Sequence, residues 1–236
     1  MKKILTSFGF GPHAAYLEAV LPTFRRYAYR HGYDMFLPSG DWFSWAAREW
    51  PAFAGMGGRP FSWWKLPLFH HLLHRAEYDV VLWLDADVCV CRFDADIADD
   101  LWAEGQNQLG REAAQGLVLH QVDVGSVPNC GVWAVTRKFL PWVPAVWDKT
   151  EFVNHGWWEQ AAVMSLMGTD PNARPCLQPL GGTELRNQTA FLPYEWNPHV
   201  KDRLGVPPDA RFKHATMFPD RLGTLRGWAT EAMNGG

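Results

Sequence analysis

Short apolar runs alternate with longer stretches of helical period along the first ninety residues. Residues 3–8 (KILTSF) read as a strand, followed by a Gly9–Gly11–Pro12 turn and a helical pattern over 13–31. Within it, Pro22 is expected to break the helix or to start its second half. Gly32 stands where a helix C′ residue belongs, and 33–37 reads as a second strand. This β-α-β opening predicts a parallel sheet. Residues 39–61 contain Gly and Pro and read as a loop, after which Ser62 is the expected N-cap of a helix to about Ala76. The near-continuous apolar run 78–84 (YDVVLWL) predicts a strand buried on both faces. It ends at Asp85-Ala86-Asp87, and 88–91 continues extended.

Farther along, Asp94–Asp100 is expected to open a surface helix and 105–115 to be polar loop or helix. Strands are predicted at 117–122 and 132–135, separated by the Asn129-Cys130-Gly131 turn. Short helices are predicted over 138–147 and over 158–167, the second capped by Asn154 or His155 and closed by Gly168. From 171 to 219 Pro, Gly and Asn are frequent, and only short strands are expected. The fold class is therefore α/β, with a Rossmann-like, mostly parallel central sheet flanked by helices. No repeat, low-complexity tract or linker divides residues 1–236, so one domain is expected.

Composition narrows the picture. The 236 residues are 47% hydrophobic with a formal net charge of −3, enough for a packed core and no electrostatic basis for nucleic-acid binding. No apolar run is long enough to span a membrane, and the N-terminal apolar run is too short and Gly-broken for a signal peptide. The four cysteines (Cys89, Cys91, Cys130, Cys176) form no CxxC pair and no disulfide framework, which suits a reducing cytoplasm. Tryptophan is overrepresented at 14 residues. Most should be core, but Trp42, Trp45 and Trp50 lie in the presumed 39–61 loop, where a flat ring could stack on a sugar.

Asp85 and Asp87 carry the sharpest chemical signal. Two carboxylates at the carboxyl end of a buried strand are costly without compensation. A hard divalent cation resolves that cost and can bridge the phosphates of a nucleotide diphosphate. Ligands of open α/β sheets gather at this end of the strands. A turn-capping role is the plain alternative. Of the other histidines, His70, His71 and His74 offer an i,i+4 pair on a helix but no third ligand.

The stretch from Trp64-Lys65-Leu66 through 78–87 resembles the Asp-x-Asp region of GT-A glycosyltransferases. Specifically it is similar to the retaining family of fungal galactosyl- and mannosyltransferases and plant xyloglucan xylosyltransferases. Further pieces follow in that family's order: 27–33 (YAYRHGY), Asn129-Cys-Gly-Val-Trp133, Trp158-Glu159-Gln160-Ala161 and Lys213-His214. Ala215-Thr216 replaces the Gly that usually follows the C-terminal His, and the membrane anchor of secretory members is missing from these residues. The resemblance implies a nucleotide-binding half over 1–90 and an acceptor and sugar-binding half over 91–236.

It further implies that Asp85, Asp87 and His214 hold a metal, Mn²⁺ before Mg²⁺ because imidazole suits the softer ion. Asp85, Asn129 and the backbone of 6–8, with Ser7 and Phe8, would hold the donor. Lys213 or Arg221 would add a cation for the diphosphate. Gln160 and Glu159 would face the anomeric carbon, with Asp87 as the third catalytic residue. The implied partners are a nucleotide-sugar donor, UDP-linked before GDP-linked, and a carbohydrate or other hydroxyl acceptor. The implied reaction is transfer of a hexose or pentose, with retention. A nucleotidyltransferase and a non-catalytic carbohydrate-binding homologue are the rival readings. Two structural expectations follow. Mutual repulsion of Asp85 and Asp87 should make the metal-free protein no less stable when Asp87 is removed. The segment 207–221, poor in apolar anchors, should need metal and nucleotide to order it.

Overall fold

A computed structural model describes residues 1–50, 53, 58–122, 125–173, 182–200 and 202–235. Six strands form the central sheet in the order β2 (Tyr33–Phe36), β1 (Lys3–Thr6), β3 (Val80–Leu84), β6 (Gly125–Thr136), β5 (Gln115–Val122) and β7 (Thr189–Leu192). The β1–β2, β1–β3 and β5–β7 pairs are parallel, and β6 runs antiparallel to both its neighbours. The expected α/β class with a mostly parallel sheet is thus present, with one reversed strand at its centre. The reversal has a local cause: β5 ends at Val122 and β6 begins at Gly125, a spacing in sequence that only antiparallel neighbours permit.

Helix α1 (Pro12–His31) returns the chain from β1 to β2 and ends at Gly32, whose φ of 67° is the left-handed C-terminal geometry that glycine adopts freely. It runs unbroken through Pro22. The 39–61 stretch departs from expectation in its first half, while 51–52 and 54–57 lie outside the described residues. Ser39 accepts a hydrogen bond from the Trp42 amide and caps a helix, α2 (Gly40–Glu49). Trp42, Trp45 and Trp50 pack on one another and on the His71 ring at centroid distances of 5.2–6.2 Å. An N-cap serine and apolar spacing at helical period outweighed the loop-like composition of the flanks. Ser62 likewise lies inside a short 3-10 turn, Phe61–Trp64, that leads into α3 (Lys65–His70), so it is not an N-cap.

Strand β3 is buried at every residue, as its apolar run requires. Trp83 and Trp133 face one side of the sheet with Phe69 and Phe139, while Leu82, Leu84 and Val132 face the other with Phe24 and Trp196. After α4 (Ile97–Leu109), α5 (Trp142–Trp147) and α6 (Trp158–Leu166), the chain forms β8 (Phe212–His214) and α7 (Arg221–Asn234). Strand β8 pairs antiparallel with β4 (Val88–Val90), setting His214 opposite Val88. The 207–221 segment has apolar anchors of its own. Phe212 and Ala215 are fully buried, and the Phe212 ring packs edge-on against Tyr27 and Trp196. Two buried side chains and three ladder positions tie the segment to the rest of the fold. No helix among the described residues is long and apolar enough to cross a membrane.

Candidate metal centre and its cavity

Residues 85–87 leave the end of β3 in a turn closed by the Val88 amide bonding to the Asp85 carbonyl. Beside it the sheet is deliberately irregular. Leu117 pairs with Trp133 but Val118 pairs with Asn129, so residues 130–132 have no β5 partner. Bulges of this kind re-aim side chains next to functional sites. Here the bulge turns the 129–131 segment toward the carboxyl end of β3, where the Asp85 amide bonds to the Gly131 carbonyl at 2.7 Å. Strand β8 closes the far side, the Ala215 amide bonding to the Asp87 carbonyl at 2.8 Å.

Asp85, Asp87 and His214 consequently offer two carboxylate oxygens and one imidazole nitrogen that all lie within 4.8 Å of one another. Among the described residues no other group of three or more His, Cys, Asp or Glu is so arranged. His70 and His71, in particular, pack against Trp50, and burial lowers the pKa of both. The donor set suits a divalent cation of intermediate hardness: oxygen ligands for charge, imidazole for a first-row transition ion.

Each carboxylate is already compensated by protein groups. Asp87 lies 3.2 Å from His214 Nε2 and 3.5 Å from Arg221 Nη1. Burial alone would raise its carboxyl, but the charge and hydrogen bond of His214, with Arg221, prevail and hold it down at about 2. For His214, burial disfavours the charged ring and Asp87 outweighs it, so its pKa is raised. Asp85 Oδ1 accepts from Trp83 Nε1 at 2.6 Å and from Lys65 Nζ at 3.3 Å. Each aspartate thus has a cation beside it to offset the anticipated repulsion between the two.

These shifts set a pH signature for the metal-free protein. A group with a raised folded pKa stabilises below its unfolded value and loses that contribution as pH rises through the folded one. A depressed carboxyl does the reverse. The Asp87–His214 pair should therefore contribute fully between about pH 4 and 6.5. The contribution of His214 fades as pH climbs above that window. That of Asp87, of order 2 kcal/mol, fades as pH falls toward 2. Melting temperatures from pH 2 to 9 in chelator should show both limbs, and His214→Gln should remove the alkaline one. An unchanged alkaline limb in that variant would reject the assignment.

Lys65, whose role is not legible in the Trp64-Lys65-Leu66 motif, is the cation at the centre of the floor. It is 2% exposed and bonds to Glu159 Oε1 at 2.8 Å, Asp85 at 3.3 Å and the Cys130 carbonyl at 3.2 Å. Burial opposes its charge, but Asp85 and Glu159 more than offset that, and its pKa is raised. Burial likewise pushes the Glu159 carboxyl up, with Lys65 countering. Only the lone lysine between Trp64 and Leu66 hinted at this, since a charge in an otherwise apolar helix must find a partner.

A cavity of about 860 Å³ opens above this floor. Phe8, Asp85, Asp87, Asn129, Gln160 and His214 all line it, as do Glu159, Lys65 and Arg221. Phe8 stacks edge-on against Phe43 and Trp83. Gly9 follows because a side chain there would strike the His13 carbonyl oxygen at 2.3 Å. Gln160 accepts the Cys130 amide at 3.2 Å through Oε1. Ser7 is fully buried and its hydroxyl has no partner; it lies behind the lining. Lys213 is also outside it, for strand alternation turns it away from His214 and toward the Trp228 ring at 5.8 Å. None of Trp42, Trp45 and Trp50 is among the described lining residues.

The rim is apolar and strained. Trp158 and Met217 adopt φ of 44° and 69°, a region bulky residues avoid, and are 45% and 50% exposed. Phe61, 51% exposed, also lines the cavity and packs on Phe10 and Trp64.

No protein-family model matches the sequence, and no curated protein sequence matches it. Solved structures with the same fold are glycosyltransferases. A glycosyltransferase involved in glycosylation of the major capsid of PBCV-1 superposes with a TM-score of 0.63 at 17% identity, over 98% of this chain and all of that one. Mouse xyloside xylosyltransferase 1 gives 0.51 at 12%, over 92% and 98%. GlyE of Streptococcus pneumoniae gives 0.57 at 15%, over 97% of this chain and 60% of that one. The GT-A-like architecture that the motif order implied is the architecture observed.

Proposed function

We propose that the protein is a metal-dependent glycosyltransferase that moves a hexose or pentose from a nucleotide-diphosphate sugar, UDP-linked by preference, to a hydroxyl of a carbohydrate. The observation that carries this reading is the Asp85–Asp87–His214 trio on the floor of a large cavity at the carboxyl end of β3. The fold shared with glycosyltransferases supports it.

Asp85, Asp87 and His214 would hold the ion, Mn²⁺ before Mg²⁺. When bound, the ion supplies positive charge to the leaving diphosphate. Arg221, at the N-terminus of α7 and 30% exposed on its side chain, is placed to pair with the same phosphates, a role that Lys213 cannot share from its outward position. Phe8 and the backbone of 6–8 would border the base, with Ser7 supporting that turn from behind. Asn129 and Asp85 would complete the donor site.

Gln160 has its carbonyl oxygen engaged by Cys130, so it offers its NH₂ as a donor to the sugar. It does not offer a nucleophile. Glu159 is 3% exposed and tied to Lys65, and Asp85 is tied to Lys65 and Trp83. With these carboxylates committed, retention by front-face departure fits better than a covalent glycosyl-enzyme. The bond from the anomeric carbon to the phosphate oxygen breaks, the acceptor oxygen bonds to the same face, and its proton passes to the departing phosphate. The carboxylate and amide groups orient and stabilise the developing positive charge on the sugar ring.

The apolar rim suits the C–H face of an acceptor sugar. Trp158→Ala should raise the acceptor KM about tenfold, roughly 1.4 kcal/mol of lost contact, and leave donor affinity unchanged. A change in donor affinity alone would move Trp158 to the donor side.

The test of the function is release of nucleotide from a panel of UDP- and GDP-sugars with Mn²⁺ or chelator, with calorimetric titration of UDP and GDP in parallel. Binding of equal strength in chelator would reject the metal-bridged donor. Pyrophosphate release from nucleoside triphosphate and sugar phosphate would indicate a nucleotidyltransferase instead.

A further inference from the structure

Asn197 is fully buried and joins three segments that are remote in sequence. Its side-chain NH₂ donates to Asn129 Oδ1 at 2.9 Å, and its Oδ1 lies 3.1 Å from His214 Nδ1. An amide can be turned end for end with little change in shape, so its orientation must come from its partners. Here a backbone group decides it. The Gly131 amide, which can only donate, bonds to Asn129 Oδ1 at 2.8 Å, so that atom is an acceptor. The Asn197 atom facing it must be the NH₂, and the Asn197 atom facing His214 must be the oxygen.

An oxygen opposite a bare ring nitrogen would set two lone pairs against each other in a buried site. His214 Nδ1 must therefore carry a hydrogen and donate it to Asn197; Nε2, 3.2 Å from Asp87, donates to that carboxylate in the charged ring and gives up its hydrogen when it binds a cation. Gly131 enforces the arrangement sterically as well, because a β-carbon there would fall 2.3 Å from His214 Cε1. The Asn197 backbone carbonyl, moreover, lies 2.5 Å from His120 Nε2, which fixes the segment that bears it.

We infer that Asn197 is a positioning residue that, held by Asn129 and Gly131, locks His214 in its Nδ1–H tautomer and so reserves Nε2, the nitrogen facing Asp87, as the lone pair for a divalent cation. This rests on reading Asp85, Asp87 and His214 as a metal site. It also gives Asn129 a task beyond lining the cavity: its oxygen starts the chain of orientation. Supporting partners of metal-bound histidines typically change metal affinity by ten- to a hundredfold when removed.

The experiment uses the full chain labelled with ¹⁵N-histidine and loaded with diamagnetic Zn²⁺, so that Nε2 is free of hydrogen. Long-range ¹H–¹⁵N spectra, with His214 assigned by its loss in His214→Gln, report which ring nitrogen carries hydrogen. The expected result is Nδ1–H with Zn²⁺ on Nε2 in the wild type, and loss of that state in Asn197→Leu and in Asn129→Ala, the latter at a less buried position. Free Mn²⁺, followed by its paramagnetic resonance without nucleotide, should bind ten- to a hundredfold more weakly to both variants. Asn197→Asp, which keeps an acceptor for Nδ1–H, should retain the tautomer. A wild-type Nε2–H tautomer, or variants that bind Mn²⁺ as the wild type does, would overturn the inference. Should the wild type bind neither Mn²⁺ nor Zn²⁺ while the Nδ1–H signal of the charged ring is lost in Asn197→Leu, the metal reading fails and the orienting role of Asn197 stands.

Discussion

Asp87→Ala is expected to reduce sugar transfer by at least roughly 10²–10³-fold, the scale on which removal of one transition-state charge stabiliser acts. It should also lower the stability of the metal-free protein. The second half of this result reverses what crowding of two carboxylates suggests. Asp87 is 5% exposed and faces both His214 Nε2 and Arg221. Its removal strands a buried imidazole and a half-buried guanidinium, at a cost of about 1–3 kcal/mol. Asp87→Asn should keep a hydrogen bond to His214 and recover part of that stability, yet remain inactive because it has lost the charge. Urea unfolding in chelator and turnover with Mn²⁺ measure the two halves separately. An alanine variant as stable as the wild type would show that Asp85 and Asp87 do repel in the folded state.

Lys65→Met should produce the largest stability loss of any single change at the site, about 3–5 kcal/mol, because it leaves partners of a buried ion pair uncompensated. Glu159 is 3% exposed and would have to take up a proton. Asp85, one-third exposed on its side chain, keeps Trp83 as a partner and suffers less. The double variant Lys65→Met, Glu159→Gln should regain most of the loss, since a neutral pair costs far less to bury than one unpaired charge. Activity should not return with it, for Asp85 would still lack the cation that holds it in place. Unfolding curves of the two single variants and the double variant give the coupling directly. Additive losses would mean that Lys65 serves packing, through its stem and its place over the Trp83 ring, more than charge.

The sequence alone determined the elements whose information is local. The apolar run of β3 and the Asp-x-Asp at its end are legible because a strand buried on both faces must be continuously apolar and a polar break must mark its exit. The β1-α1-β2 opening is legible from helical period and from Gly32. Local composition misled at 39–61, where a capping serine and a helical apolar face made α2 out of an apparent loop. It also hid the anchoring of 207–221, where Phe212 packs against Tyr27 and Trp196, partners invisible in the segment itself.

Tertiary structure alone decided the company each site residue keeps. His214 meets Asp87 across 127 positions, Lys65 in α3 meets Glu159 in the remote α6, and Asn197 meets both Asn129 and His214. The same holds for the reversed strand β6 and the bulge at residues 130–132. Hydrophobic period records which face of an element is buried, which is a one-dimensional property. It carries no record of which remote side chain will share that burial. That choice follows from how the sheet closes and from the need to satisfy every buried charge and amide with a partner in three dimensions.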